Sequence, residues 1–168
     1  MRLSRPLQDV ATMNALLNTA EDLALRAGES LPGPEHLLLS ALALPDGTAR
    51  RAFERLGADP DAFAPAIARA HADALAAVGV HVADEASLDA DVARNRSPKR
   101  GVMRTTAPAQ EAFQAATKQA KAEKSRLLGA HVVAAVAGQE QGTAVRALRV
   151  MGVEPADLSE AARAELAA

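Results

Sequence analysis

Two stretches, PEHLLLSALALPDGTARRAFERLG at residues 34–57 and GAHVVAAVAGQEQGTAVRALRVMG at residues 129–152, follow one pattern. Each places a histidine, His36 or His131, at its third position, ahead of an apolar run. At an offset of 95 residues, without a gap, 8 of the 25 positions from 36 to 60 are identical in the second stretch. Random pairing in so Ala-rich a chain would give roughly two or three identities. The chain therefore contains an internal duplication.

Each copy is predicted to form four helices, because proline, glycine and capping residues separate the apolar runs. Pro34 suits the first position of a helix, and Thr48 is the expected N-cap of the next one. Gly57 and Gly152 occupy matching positions where a helix-terminating glycine is expected. The predicted helices lie at about 8–28, 34–44, 48–57 and 59–78 in the first copy, and about 106–125, 129–138, 143–151 and 155–167 in the second.

The prediction for the whole chain is an all-α fold of eight helices, built as two four-helix repeats with pseudo-twofold symmetry. The repeats cover about 7–79 and 106–167 of a single domain, 1–168, and a linker of about 80–105 joins them. Hydrophobic residues make up 49% of the chain, but only three are aromatic. The core must therefore consist of Ala, Leu and Val, which favours closely packed helices.

Several classes of function are disfavoured by what the sequence lacks. It contains no cysteine, no phosphate-binding Gly-x-x-x-x-Gly-Lys-Ser/Thr motif, no His-Glu-x-x-His motif and no Gly-x-Ser-x-Gly motif. We therefore expect a protein that binds other molecules rather than an enzyme, without a cofactor or a metal. The absence of cysteine, of a signal peptide and of a long apolar run favours a cytoplasmic protein.

The paired histidines leave two interpretations open. His36 and His131 are either a shared metal or acid–base pair, or structural residues at two equivalent helix starts. The duplication favours the structural role, because a repeat reproduces whatever its fold requires. His71 and His81 have no counterparts in the other copy and are predicted to be surface residues.

Charge is distributed unevenly along the chain. Residues 94–126 contain nine basic and two acidic side chains, whereas residues 54–91 contain eight acidic and two basic ones. The basic segment allows an alternative function, a regulator that binds nucleic acid or another polyanion. The lack of aromatic residues for base stacking weighs against nucleic acid.

The residues resemble the Clp amino-terminal repeat domain of the Clp unfoldases, closest to the ClpC type. The resemblance depends on EHLLL at 35–39 and GTARRAFERLG at 47–57, and it recurs more weakly in the second copy. It implies an all-α domain that takes part in protein quality control by receiving substrates and adaptor proteins. In the ClpC type, the resemblance also implies binding of phosphoarginine-tagged proteins. In actinobacterial relatives, it implies binding of cyclic peptide antibiotics.

The resemblance also implies candidate binding residues. Glu35 keeps the carboxylate expected to grip a guanidinium, whereas the second copy has Ala130, so at most one phosphoarginine site is predicted. The aromatic residue that the family places ahead of each copy is replaced, and the expected peptide-binding residues there are Leu3 or Leu7 in the first copy and Met103 or Arg104 in the second.

The 168 residues include no ATPase module of the kind that follows this domain in the unfoldases. The long linker and the divergent second copy favour a free-standing protein, which would compete with a full-length unfoldase for its partners. The other interpretation is that the residues are part of a longer unfoldase.

Overall fold

The computed structural model describes residues 5–80 and 104–168, which form eight α-helices and no strand. This confirms the all-α prediction of two four-helix repeats. The linker predicted at about 80–105 lies almost entirely outside the described residues. The helices are α1 Arg5–Arg26, α2 Pro34–Leu42, α3 Thr48–Arg55 and α4 Phe63–Ala77 in the first copy, and α5 Ala107–Ala122, α6 Gly129–Ala137, α7 Thr143–Val150 and α8 Pro155–Ala167 in the second.

The third helix of each copy ends in the same way. Gly57 and Gly152 have left-handed φ angles of 66° and 76°, which a residue with a Cβ rarely adopts. In each copy the residue after the glycine donates its N–H to a carbonyl five residues earlier, from Ala58 to Phe53 and from Val153 to Leu148. These are Schellman motifs, so both glycines serve as helix stops.

The two copies share one hydrophobic core. Its centre is formed by α2 and α6, which pack against each other and are buried along most of their length. The largest fully buried apolar side chains come from both copies: Leu16, Leu37, Leu38, Phe53 and Phe63 from the first, and Val132, Val133, Val136, Val145, Leu148 and Leu158 from the second.

The fourth helices cross between the copies. α4 of the first copy packs mainly on α7 of the second, and α8 of the second packs on α3 of the first. Each copy thus covers the third helix of the other copy. The pseudo-twofold symmetry is not exact: α8 also packs broadly on α6 of its own copy, whereas α4 barely touches α2. The final part of α4 and the turn after it, residues 71–80, are exposed throughout.

The N-terminus of α6 is satisfied by the first copy. The Asp46 carboxylate accepts the N–H of Gly129 at 3.1 Å, and the Thr48 hydroxyl accepts the N–H of Ala130 at 2.9 Å. Thr48 was predicted to cap its own helix, α3, and that detail is wrong. The N-cap position of α3 is Gly47, and the Asp46 carboxylate accepts the N–H of Thr48 at 2.9 Å. Thr48 instead caps the equivalent of α2 in the other copy.

Gly129 allows this close approach of the copies. A Cβ at Gly129 would lie 2.9 Å from the Cβ of Ala49 and 3.0 Å from the carbonyl oxygen of Ala41. Both contacts are with the first copy, and neither atom belongs to a flexible side chain. The interface between the copies therefore requires a residue without a side chain at position 129.

Candidate functional site

The two repeated histidines make the same hydrogen bond. The Nδ1 atom of His36 accepts the N–H of Gly33, and that of His131 accepts the N–H of Leu128, each at 3.0 Å. An Nδ1 atom that accepts must be unprotonated, so the ring proton lies on Nε2 and both imidazoles are neutral. Each histidine caps the start of its helix as one half of a capping box.

His131 is also held at its other nitrogen. Its Nε2 lies 3.1 Å from the Oε2 atom of Glu123, and the ring is fully buried. Hydrogen bonds from Gln119 and then from His131 lower the pKa of the Glu123 carboxyl. This ring therefore has neither a free lone pair for a metal nor a free proton for catalysis, which is consistent with a structural role.

The Glu35 carboxylate lies at the start of α2 and folds back over the chain. Its side chain is only 7% exposed, and a Cβ at Gly33 would lie 2.7 and 2.8 Å from its two oxygens. Two further side chains converge on it: Glu29, from the loop after α1, and His71, from α4. One ligand atom of each of the three lies within 4.8 Å of the other two.

A cleft lies between α1 and α5 and has a volume of about 350 Å³. Leu17, Leu31 and Phe113 form its apolar part, and the exposed Arg104 contributes its charge. Thr105 and Gln110 complete the lining with polar groups. An apolar wall beside a single cation suits an apolar ligand side chain that is close to a carboxylate or another acceptor.

A second cleft, of about 300 Å³, lies where the start of α1 meets the loops before α3 and α6. Gln8, Pro45 and Arg126 are among its lining residues. The Asp9 carboxylate accepts the N–H of Leu127 at 3.0 Å in the same region. Two of the loops that line this cleft already hold the copies together.

An ion-pair cluster joins α8 to α3. The Glu165 carboxylate accepts hydrogen bonds from the guanidinium groups of Arg51 and Arg55, the second at 2.9 Å. Both bonds lower the pKa of the Glu165 carboxyl, and the bond from Arg51 has the larger effect. Glu165 is 9% exposed at its side chain, so the cluster links the copies at the edge of their shared core.

Comparison with known proteins identifies the family. A family model described as the Clp repeat (R) N-terminal domain matches residues 11–95 and 104–168, which together make up most of the chain. The chain belongs to the Clp repeat N-terminal domain family. Among curated proteins, no sequence matches the chain at a significant level. The family assigns this chain to a module related to the Clp system, and the resemblance seen in the sequence is confirmed.

The predicted binding residues of this Clp repeat domain fall in different places. Arg104 lines the cleft between α1 and α5, while Leu7 lies on the first turns of α1 and is 56% exposed. Glu35 lies in the separate cluster with Glu29 and His71. Leu3 and Met103 are outside the described residues, so their part in binding stays a prediction.

Sequence reasoning missed Glu29 and treated His71 only as a surface residue. His71 is indeed 45% exposed, and its Nε2 atom lies 4.0 Å from the Oε1 atom of Glu29. The one available signal was a break in the repeat. At the offset of 95, the second copy of this Clp repeat domain has Lys124, Ala130 and Leu166 where the first has Glu29, Glu35 and His71.

In the described part of the basic segment, 104–126, the basic side chains face solvent while one face of α5 is buried. The segment's five basic side chains, Arg104, Lys118, Lys121, Lys124 and Arg126, are all exposed. Of the helices that the structure describes, none is long and apolar enough to cross a membrane.

Proposed function

We propose that this chain is a non-enzymatic module of the Clp system that binds proteins or peptides, and that the cleft between α1 and α5 holds the ligand. The observation on which this rests is the pairing of Leu17, Leu31 and Phe113 with Arg104 in one cleft of a Clp repeat domain. Burial of one large apolar side chain there contributes about 1.5–3 kcal/mol. Arg104 adds orientation through a charge-assisted hydrogen bond.

The ligand expected from this chemistry is an exposed apolar segment with a neighbouring carboxylate. Unfolded substrates and adaptor segments are the expected sources of such a segment, and a cyclic peptide with apolar side chains is a further candidate ligand. A free-standing module of this kind would compete with the equivalent domain of a full-length unfoldase, since both would bind the same segments. Addition of the protein to an unfoldase-dependent degradation reaction tests that role, and we expect slower substrate loss.

The binding test uses calorimetry with short peptides that contain Leu and Phe next to either Asp or Lys. We expect the Asp peptide to bind more tightly, and Arg104→Glu to weaken it by about tenfold, a loss typical of one charge-assisted contact. Lys118→Glu, which makes the same charge change at an exposed position of α5, is the matched control. Equal affinities for both peptides, or equal losses in both variants, would remove the cleft as the binding site.

The prediction remains that phosphoarginine binds at one site at most, at Glu35. The Glu29 carboxylate beside it favours a guanidinium but repels a phosphate, so we propose peptide binding as the main function. Calorimetry with free phosphoarginine tests whether peptide binding is the main function. A single tight site that disappears in Glu35→Gln would make phosphoarginine the principal ligand instead.

The alternative function, polyanion binding, is supported by the exposure of all five basic side chains within 104–126. A salt titration separates it from peptide binding. Affinity for a polyanion falls steeply with salt because counterions are released, whereas binding in an apolar cleft changes little.

A further inference from the structure

The cluster of Glu29, Glu35 and His71 combines two carboxylates and one imidazole from three separate elements. One ligand atom of each lies within 4.8 Å of the other two, and the Nε2 atom of His71 is 4.0 Å from the Oε1 atom of Glu29. Glu29 and His71 are 35% and 45% exposed at their side chains, so both can change rotamer. The third member, Glu35, is 93% buried at its side chain by the same measure.

Glu35 has no compensating donor among residues 5–80 and 104–168. The Nδ1 atom of His36 lies 3.6 Å from the Oε1 atom of Glu35. That nitrogen already accepts the N–H of Gly33 and has no proton to offer. The carboxylate is largely buried, and its oxygens keep a little contact with solvent while accepting no hydrogen bond from the described residues. Its reduced hydration favours a cation beside it. The Glu35 carboxylate is therefore preorganised for a cation, and it points toward two other potential ligands.

We propose that Glu29, Glu35 and His71 form a binding site for a divalent transition-metal ion, with Zn²⁺ as the best match. A mixed set of imidazole and carboxylate ligands suits Zn²⁺, while Mg²⁺ and Ca²⁺ prefer oxygen alone. Tetrahedral Zn²⁺ with bonds of about 2.0–2.2 Å requires closer ligand atoms, and the two exposed side chains can supply that movement. Three protein ligands leave a fourth position open to water or to an anionic group.

Gly33 supports the same assignment. A Cβ at this position would lie 2.7 and 2.8 Å from the two Glu35 oxygens, so glycine is what lets the carboxylate fold into the cluster. The φ and ψ of Gly33 are −96° and −179°, which alanine also adopts. Glycine is therefore needed at position 33 to make room for the Glu35 carboxylate, and not because of the backbone conformation.

The second copy provides an internal comparison. It has Lys124, Ala130 and Leu166 at the three ligand positions and Leu128 at the position of Gly33. A cationic group, two apolar groups and a bulky side chain cannot bind a metal. The proposal therefore requires one ion per chain, in the first copy. It does not depend on peptide binding at the cleft, and a metal-free peptide titration tests that function separately.

The direct test is calorimetry of the chelator-treated protein with ZnCl₂. We expect one ion per chain, and a loss of affinity of at least about tenfold in each of Glu29→Gln, Glu35→Gln and His71→Ala, as for loss of a ligand. Glu160→Gln, an exposed carboxylate on α8, is the control and should bind as the wild type does. Zn²⁺ should also raise the midpoint of thermal unfolding of the wild type and the control, but not of the ligand variants.

A second variant separates the geometry of the site from its charge. Gly33→Ala keeps all three ligands but displaces the Glu35 carboxylate, so Zn²⁺ affinity should fall while the metal-free protein unfolds at nearly the wild-type temperature. Three results would overturn the proposal: no Zn²⁺ binding by the wild type, two ions per chain, or an affinity unchanged within twofold in both Glu29→Gln and His71→Ala.

Discussion

Helices α2 and α6 begin with the same histidine cap but lie in opposite surroundings. The first turn of α6 is bound by Asp46 and Thr48 of the other copy and packs tightly there through Gly129. The first turn of α2 begins with Pro34, which has no N–H, and continues with a buried carboxylate that no donor in the described residues satisfies.

The two copies of the duplicated fold therefore have different roles. In the second copy the helix start joins the repeats, and α8 packs broadly over α6. In the first copy the corresponding helix, α4, barely touches α2, which leaves space where His71 meets Glu29 and Glu35. The helix start of the second copy thus holds the two copies together, whereas that of the first copy carries the cluster of Glu29, Glu35 and His71.

The largest expected effect comes from separating the copies. Because the fourth helices cross over, residues 1–80 alone would expose the face of α3 that α8 covers, and residues 104–168 alone would expose that of α7. Neither fragment should show cooperative thermal unfolding, whereas an equimolar mixture should recover helical signal. Circular dichroism of the fragments checks this. Independent, cooperative unfolding of either fragment would contradict the shared core.

Two glycine substitutions compare the helix starts directly. Gly129→Ala should lower the free energy of unfolding by about 1–3 kcal/mol, because the new methyl group meets Ala49 and a backbone carbonyl that cannot move cheaply. Gly33→Ala in the metal-free protein should change it by less than about 0.5 kcal/mol, since only the flexible end of Glu35 must shift. Urea denaturation measures both. Equal costs would mean that the two helix starts are equally constrained.

The cap that crosses between copies has a smaller expected effect. Thr48→Val leaves the N–H of Ala130 without its acceptor and should cost about 1 kcal/mol of stability. Its matched control is Thr143→Val in the second copy, where the hydroxyl accepts only a hydrogen bond from the exposed Arg146. We expect that variant to stay close to the wild type in the same denaturation experiment.

The smallest expected effect concerns Glu165, whose position in the first copy is occupied by Ala70. Hydrogen bonds from Arg51 and Arg55 lower the pKa of Glu165 in the folded chain. The carboxylate therefore stabilises the fold above its unfolded-state pKa, and this contribution disappears as pH falls through the lower, folded-state pKa. Glu165→Gln should destabilise at pH 7, and its difference from the wild type should shrink as the pH falls. Glu160→Gln should show no such dependence.

Most of the fold could be predicted from the sequence because helix boundaries are set locally. Pro34, Gly57 and Gly152 act on their own helices, and the offset of 95 transfers each boundary to the other copy. Thr48 shows where such reasoning fails. Its position at the start of α3 predicted an N-cap for that helix. The N–H group that its hydroxyl accepts is instead that of Ala130, at the start of α6 in the other copy.

The candidate sites were harder to predict for the same physical reason. Glu35 was found through the family pattern, and Arg104 through its position before α5. His71 lies near Glu35 and Glu29 only in the folded chain, through the tertiary placement of α4, which no local periodicity encodes. The copies do differ at Glu29, Glu35 and His71, but they differ at most other aligned positions too, so this difference alone does not single out the three residues.

The exchange of fourth helices has a consequence for the origin of the chain. A single repeat would leave the face of its third helix uncovered, and two such chains would cover each other as a twofold dimer. A linker between them replaces an association that depends on protein concentration with one that does not. After fusion, neither half has to bind an identical copy of itself, so the two halves can diverge in sequence. A substitution such as that at position 130 then appears once in the assembly rather than twice, and an asymmetric binding protein can evolve from a symmetric pair.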